Sequence, residues 1–411
     1  MATKEQRGFS TRALHTPIPY LYPKTHIMPP FSTSTYCMES LDTPTDQEFS
    51  FKYPRIAHPN GELLEHTLAS LEGGQAAAVT ADGMRAISVT LMAMLRWNEN
   101  AQGTIVSTAP LYSHTYSLLT RYLRKQCMFL HESPHYREDF QKIIKESEMQ
   151  LYPAPVEILF IETPANPTLT IWDIKALAEI AHAHNILVIV DSTFATPYNQ
   201  RPLELGADLV IHSLTKYICG NGTTLGGAVI GSREHIKTIK ERLQIEGGHL
   251  NPYAAWLIQI GLQTFGVRMQ EHNKNAMVLA RFLNKKEYRN KIAHVYYPGL
   301  TSDAGHMVAK EQMRTPEGKQ GFGGMISFEL ARPELVKPFA SALAESFIAL
   351  AVSLGCTSSI FSVPALQIHG ALPADERKAL GISDTLIRFS VGIEDIKDIK
   401  NALATALNHI S

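Results

Sequence analysis

The chain has 411 residues, with 38 basic side chains against 39 acidic ones and a formal charge of −1. That length supports a large core and two domains. The even charge leaves no basic stripe for nucleic acid, and no apolar run reaches the roughly 18 residues that a membrane-crossing helix needs.

The longest apolar run, FIALAVSLG at 347–355, is only about half that length. Cys37, Cys127, Cys219 and Cys356 lie far apart without a CxxC pair. This fits a reducing cytoplasm and offers no ligand set for a metal. The opening MATKEQRGFS is polar and unlike a secretion signal.

Residues 1–55 are rich in Pro, Thr, Ser and Tyr, and IMPPFSTSTY and LDTPTDQEFSF read as extended. Such a segment is either functional or packed on a partner. It runs into FKYPRIAHPN, where Tyr53 and Arg55 share one face of an extended chain and suit a phosphate, or are ordinary surface. LLEHTLASLEGG then reads as a helix stopped by Gly73-Gly74. AAAV is a short strand, Asp82-Gly83 a turn, and Ala86, Ile87, Thr90, Leu91 and Met94 repeat at helical spacing. A glycine opening a helix after a strand is a phosphate seat, or a plain strand–turn–helix.

TIVSTAPLYSHTY (104–116) is a strand and a loop bearing Tyr112 and Tyr116, placed to stack on a flat ring or to pack in a core. FLHESPHYREDFQKII supplies a connecting strand and an amphipathic helix. EILFIETPANPTLTIWDI (157–174) is a buried strand with Glu162 and Asn166 at its carboxyl end, where open α/β sheets bind ligands. Asp173 then caps the helix IKALAEIAHAHN. ILVIVDSTFATP (186–197) is an all-apolar strand that ends in Asp191. A carboxylate there is costly unless a cation, such as a protonated ring nitrogen, meets it or it caps a helix.

DLVIHSLTKYICGNGTTLGGAVIG (208–231) places one lysine, Lys216, between two apolar strands, the first spanning Leu209 to His212. A buried or cation-crowded amine loses basicity and becomes a nucleophile fit for a Schiff base, whereas a strand-end lysine can also reach out to water. Ser213 and Thr215 flank it with hydroxyls that can hold a phosphate, and Cys219 is either near the site or simply packed. The alternation from about 75 to 231 gives a mostly parallel, helix-flanked sheet.

Beyond Gly231 long helices follow, with Ala276, Leu279, Ala280 and Leu283 on one face. Then VYYPGL, GGMISFEL (323–330), a helix near 333–350, LIRFSVGIE (386–394) and a last helix make a smaller α/β unit. Arg388 lies inside its strand, suited to clamp a carboxylate at two points.

In order, YPR (53–55), DGM (82–84), LYSHTY (111–116), IETPANPT (161–168), VDSTFATP (190–197), HSLTKY (212–217), YYPGL (296–300), FGGMISFEL (322–330), AVSLG (351–355) and ISDTLIRFSVGIED (382–395) resemble one family. It is the pyridoxal-phosphate enzymes of cysteine and methionine metabolism, among them cystathionine γ-lyase, cystathionine γ-synthase, methionine γ-lyase and O-acetylhomoserine sulfhydrylase. The likeness covers roughly 50 to 405.

It implies a fold type I, aspartate-aminotransferase-like α/β chain. Residues 1–60 would be an extended arm on a partner subunit, 61–254 the large cofactor domain and 255–411 a small domain. The assembly would be a homotetramer built from dimers that share active sites. By resemblance, Lys216 carries the pyridoxal 5'-phosphate as a Schiff base, Asp191 pairs with the ring nitrogen and Tyr112 stacks on the ring. Gly83, Met84, Ser213 and Thr215 hold the phosphate, and Tyr53 and Arg55 reach the neighbouring subunit's phosphate. Asn166 and Thr193 support the cofactor, and Ser353 and Arg388 meet the substrate carboxylate.

The implied activity is a cytoplasmic C–S lyase. It would release 2-oxo acid, ammonia and thiol from cystathionine or methionine by β- or γ-elimination. Replacement of the O-acetylhomoserine sulfhydrylase or cystathionine γ-synthase type is the alternative. A different enzyme of the same fold, such as an aminotransferase, would use the same lysine and aspartate, and a non-enzymatic binding protein would tolerate the departures from the family pattern.

Those departures are specific. Asp82 replaces a serine, His58-Pro59-Asn60 an Asn-Pro-Thr, and Ser113 and His114 small residues. Val352 stands where a lyase of cystathionine tends to have glutamate, which favours a thioether such as methionine. VPALQIHG (363–370) replaces a His-Pro-Ala-Ser-x-x-His run, and GNGTTLGG is like the sulfhydrylase loop. His114 and Gln367 either face the pocket or point into packing.

Overall fold

The computed structural model describes residues 7–15, 25–38, 51–95, 103–151 and 154–410. The stretch read as extended at 41–51 lies outside them except for Phe51.

Among the described residues there are twelve strands: β1 (Ala76–Thr80), β2 (Thr104–Ala109), β3 (Cys127–His131), β4 (Val156–Glu162), β5 (Leu187–Asp191), β6 (Leu209–Ser213), β7 (Gly227–Gly231), β8 (Ile292–Tyr296), β9 (Met325–Leu330), β10 (Ala349–Leu350), β11 (Ile360–Ser362) and β12 (Leu386–Ser390). Seven form one sheet in the order β1-β7-β6-β5-β4-β2-β3. Neighbours from β6 to β3 are parallel, and β7 runs against both β1 and β6. This is the mostly parallel sheet that the alternation predicts.

Its strands are apolar on both faces because helices cover both. Ile158, Phe160 and Ile189 pack with helices Gly83–Met94 and Arg233–Glu246 on one side. Leu159, Ile161, Val188 and Val190 pack with helices Tyr136–Glu148 and Ile174–Ala183 on the other. The period of two thus survives inside runs with no polar residue to reveal it.

Helix Pro59–Glu72 begins four residues before the run LLEHTLASLEGG read as helical, and the predicted cap Asp173 accepts from the amide of Ala176 at 3.0 Å. The long helical stretch after Gly231 breaks at Gln263 and Thr264 into Pro252–Leu262 and Phe265–Leu283. The first half of the second helix packs with the large sheet's core, through Phe265 and Met269. Its second half packs with the other sheet's core, through Ala276, Leu279, Ala280 and Leu283, as their spacing predicts.

The second sheet has the order β10-β11-β12-β9-β8. The helix expected near 333–350 is shorter, spanning Val336–Ala344, and the apolar residues that follow form β10 instead. The arm read as extended holds a short helix, Phe9–Leu14, whose Phe9 ring packs edge-on to Tyr198 at 5.5 Å.

Candidate active site

Three parallel strands end side by side in a carboxylate or hydroxyl. Glu162 of β4 is in register with Asp191 of β5, and β6 beside it ends at Ser213. This is the carboxyl edge at which open α/β sheets bind ligands. A cavity of about 270 Å³ lies there, and Arg388 of β12 closes it from the second sheet.

Lys216 follows β6 in a tight turn and is held well inside. Its Nζ donates to Ser353 Oγ at 3.1 Å. Burial, then the charge of Arg388, lowers its pKa from 10.5 to about 8. A fair share of neutral amine thus exists near neutrality, which a nucleophile or proton carrier needs. The turn is braced by a residue without a sequence signal. Buried Arg268 donates through Nη1 to the carbonyl of Tyr217 (2.6 Å) and through Nη2 to the carbonyls of Ile218 (3.2 Å) and Gly261 (2.8 Å). A lone arginine among the polar residues of helix Phe265–Leu283 reads as solvated surface, and only the fold turns it inward.

Asp191 is 8% exposed and lines the cavity. Its Oδ1 accepts from the Thr193 hydroxyl at 2.6 Å and the Thr193 amide at 3.0 Å. Burial pushes its pKa up, and the Thr193 donors pull it back. Among the described residues it forms no ion pair and caps no helix, so the capping alternative falls. A buried carboxylate at a cavity wall without a cationic partner fits a protonated ring nitrogen. Thr193 Oγ1 also accepts from the Ser213 amide at 2.9 Å, tying the ends of β5 and β6 together.

The helix Gly83–Met94 starts at the cavity, and its first amides belong to Gly83 and Met84. A Cβ on Gly83 would lie 2.8 Å from the Ser213 Cβ, so only glycine lets the helix start approach β6 this closely. Ser213 and Thr215 line the same end of the cavity. The Thr215 hydroxyl donates to the Gly226 carbonyl (3.2 Å) and accepts from its amide (3.1 Å). The set fits a phosphate at a helix N-terminus. Asp82, the unexpected acid, is the helix N-cap, with Oδ1 accepting from the Arg85 amide at 2.8 Å.

Glu162 organises the opposite wall. Its carboxylate accepts from the amides of Tyr112 (3.1 and 3.0 Å) and Asn166 (2.8 Å), and burial beside Asp191 raises its pKa. It therefore fixes both loops that carry candidate residues. Its place at the carboxyl end of a buried strand singles it out in the sequence without giving it a role. Asn166 in turn accepts from Arg388 Nη1 at 3.0 Å, while Nη2 donates to the carbonyls of Val352 (2.9 Å) and Ser353 (3.1 Å). Arg388 is 2% exposed, and burial lowers its pKa to about 10. Tyr112 faces the cavity, and burial raises the pKa of its phenol.

Ten of the candidate residues thus line one cavity, and Ser353 joins them through Lys216. Tyr53 and Arg55 do not reach the cavity of their own chain. Arg55 stacks over the Tyr53 ring at 5.4 Å, donates to the carbonyl of Gln244, and lies on the surface.

Two departures are structural. His58 caps helix Pro59–Glu72 by accepting from the Gly61 amide at 3.0 Å, and Asn60 pins residues 29 and 31. Gln367 closes its own turn on the Val363 amide at 2.8 Å, so it is not a pocket residue. A larger cleft of about 420 Å³, between Pro110, Thr168 and Tyr296, holds none of the candidates.

A model of the Cys/Met metabolism PLP-dependent enzyme family matches residues 12–408. An L-methionine gamma-lyase of Fusobacterium nucleatum subsp. polymorphum is 38% identical, over 100% of each chain. The crystal structure of cystathionine gamma-lyase from Lactobacillus plantarum complexed with L-serine superposes with a TM-score of 0.86 at 31% identity, covering 98% of this chain and 99% of that one. A cystathionine gamma synthase from Xanthomonas oryzae pv. oryzae in complex with cystathionine gives 0.86 at 32%, covering 98% of each.

Proposed function

The chain belongs to the Cys/Met metabolism PLP-dependent enzymes, and from that premise we propose that it is a C–S lyase that eliminates thiol from a methionine-like thioether. The observation that carries this reading is a part-neutral Lys216 amine in a cavity lined both by the buried carboxylate of Asp191 and by the apolar Leu225, Val352 and Leu354.

Pyridoxal phosphate, when bound, draws electrons from the α-carbon of an amino acid joined to it. Asp191 holds a proton on the ring nitrogen. The Gly83 and Met84 amides, with Ser213 and Thr215, hold the phosphate, and Thr193 and Asn166 keep their neighbours Asp191 and Arg388 in place. Arg388 and Ser353 receive the substrate carboxylate. Lys216 Nζ, its basicity lowered by burial, takes a proton at one carbon and returns it at another. Tyr112 presents its hydroxyl to the substrate amine and to the departing sulfur.

Val352, Leu225 and Leu354 line the cavity with methyl groups. A wall of this kind favours a thioether over the distal ammonium of cystathionine, although an apolar pocket discriminates by only about 1–3 kcal/mol. Replacement remains the second reading, supported by the sulfhydrylase-like GNGTTLGG loop that carries Leu225.

Tyr53 and Arg55, turned away from their own cavity, would complete the phosphate seat of a neighbouring subunit. On this reading the active unit is a dimer within a tetramer. Methionine and cystathionine alone, and O-acetylhomoserine with sulfide, separate the readings. Thiol, ammonia and 2-oxo acid from methionine are expected. Turnover of only the sulfide mixture, giving homocysteine, would establish replacement.

A further inference from the structure

Tyr112 has a difficulty as a proton acceptor. Burial raises the pKa of its phenol, with the charges of Glu162 and Asp82 adding and that of Arg388 opposing. Near neutrality the hydroxyl keeps its proton and cannot by itself take one from a substrate ammonium. Its partner on the outer side is the residue that departs from the family pattern. Tyr112 heads the short helix Ser113–Ser117, and this turn brings His114 back over it. The His114 Nδ1 lies 3.0 Å from the Tyr112 hydroxyl, and the ring centroids are 5.3 Å apart. Tyr112 is half-buried and lines the cavity, whereas His114 is exposed on the outer side of the single chain. The pair therefore spans from cavity to solvent.

We propose that His114 is a proton relay that acts through Tyr112, giving the phenol a base on one side and a route to water on the other. The proposal rests on the reading that Tyr112 meets the substrate amine and sulfur. At rest the phenol O–H donates to Nδ1, and the imidazole carries its proton on Nε2. The phenol proton moves to Nδ1, and the phenolate oxygen takes a proton from the substrate ammonium. Nε2 then releases its proton to water. In the second half the sulfur leaves with its bonding electron pair and takes the phenol proton. The Nδ1 proton refills the phenol, and water reprotonates Nε2. One proton leaves and one returns, so each turnover closes without any other reactant.

Among the described residues, the charged and titratable groups around the pair are few. Arg388, Glu162 and Asp82 act on Tyr112, and Lys216 shares its cavity. His369, in the segment 363–370, feels the charge of His114 and sets its Nε2 against the Leu111 carbonyl.

The test compares His114→Asn, His114→Ala and Tyr112→Phe with the wild type. Asparagine keeps an acceptor for the phenol but cannot take its proton. With the relay, kcat/KM of the wild type carries an acid limb that both His114 variants lose. Their kcat/KM falls about 10²-fold near neutrality and recovers only at alkaline pH, where the phenol ionises alone. Histidine-selective nitrogen NMR of the cofactor-free protein gives a readout independent of turnover. The signal missing from His114→Asn should show the Nε2–H tautomer and shift in Tyr112→Phe. A His114→Asn enzyme with the wild-type pH profile, or an Nδ1–H tautomer, overturns the relay and leaves His114 as a support for the ring. An active Tyr112→Phe enzyme instead overturns the placement of Tyr112 on which the relay rests.

Discussion

A buried lysine that has lost basicity destabilises the chain that holds it, and the sign of that effect is testable at Lys216. Its pKa in the folded protein is about 8 against an ordinary 10.5. Between those values the unfolded chain binds more protons, so stability rises with pH across that window; below it, the folded chain bears the full cost of a crowded charge. In cofactor-free protein, Lys216→Met should therefore raise the urea midpoint at about pH 7 and lose most of that gain by about pH 10. An equal gain at both would mean that the amine is solvated. The placement of Lys216 between two apolar strands made it legible from sequence, and so did Asp191 at the end of an all-apolar run. Arg268 and Glu162 were not legible in the same way. Both act only through backbone groups brought to them by distant segments, and no local pattern records that.

At the scale of elements, two supports of the site separate cleanly. Asp82 caps helix Gly83–Met94 and also sets a negative charge beside the phosphate seat. Asp82→Ser keeps a cap and removes the charge, so cofactor should bind a few-fold tighter, as read by fluorescence titration, with the melting temperature unchanged. Asp82→Ala removes the cap as well and should cost about 1 kcal/mol of stability. Weaker cofactor binding in the serine variant would show that the carboxylate helps to hold the cofactor instead. Arg268→Met leaves the carbonyls of Tyr217 and Ile218 in the lysine turn without their donor, whereas the Gly261 carbonyl keeps the amide and hydroxyl of Thr264. Denaturant unfolding should show a loss of at least about 2 kcal/mol, and a smaller loss would mean that water replaces the guanidinium. Elements whose own residues set their period were foreseen within a few positions. The end of the predicted helix near 350 was not, because FIALAVSLG has neither period and only its pairing with β11 makes it a strand.

At the scale of the whole molecule, the α/β architecture with two sheets bears out the fold type I, aspartate-aminotransferase-like expectation. Ten short motifs in one order point to the family, and seven of them supply residues that line one cavity, whereas a wall of methyl groups, on which the proposed substrate preference rests, is one that many sequences can build. Tyr53 and Arg55 face away from their own site, so mixed oligomers of Arg55→Ala and Lys216→Ala chains should regain part of the activity that each lacks. Properly mixed oligomers without activity, or an active monomer, would argue for sites complete within one chain. The whole proposed chemistry depends on Lys216 being the amine that holds pyridoxal phosphate. Borohydride reduction of the cofactor-loaded enzyme, followed by peptide mass mapping, tests it most directly. The reduced cofactor is expected on the peptide containing Lys216 and on no other lysine; its attachment elsewhere, with Lys216 unmodified, would overturn the assignment.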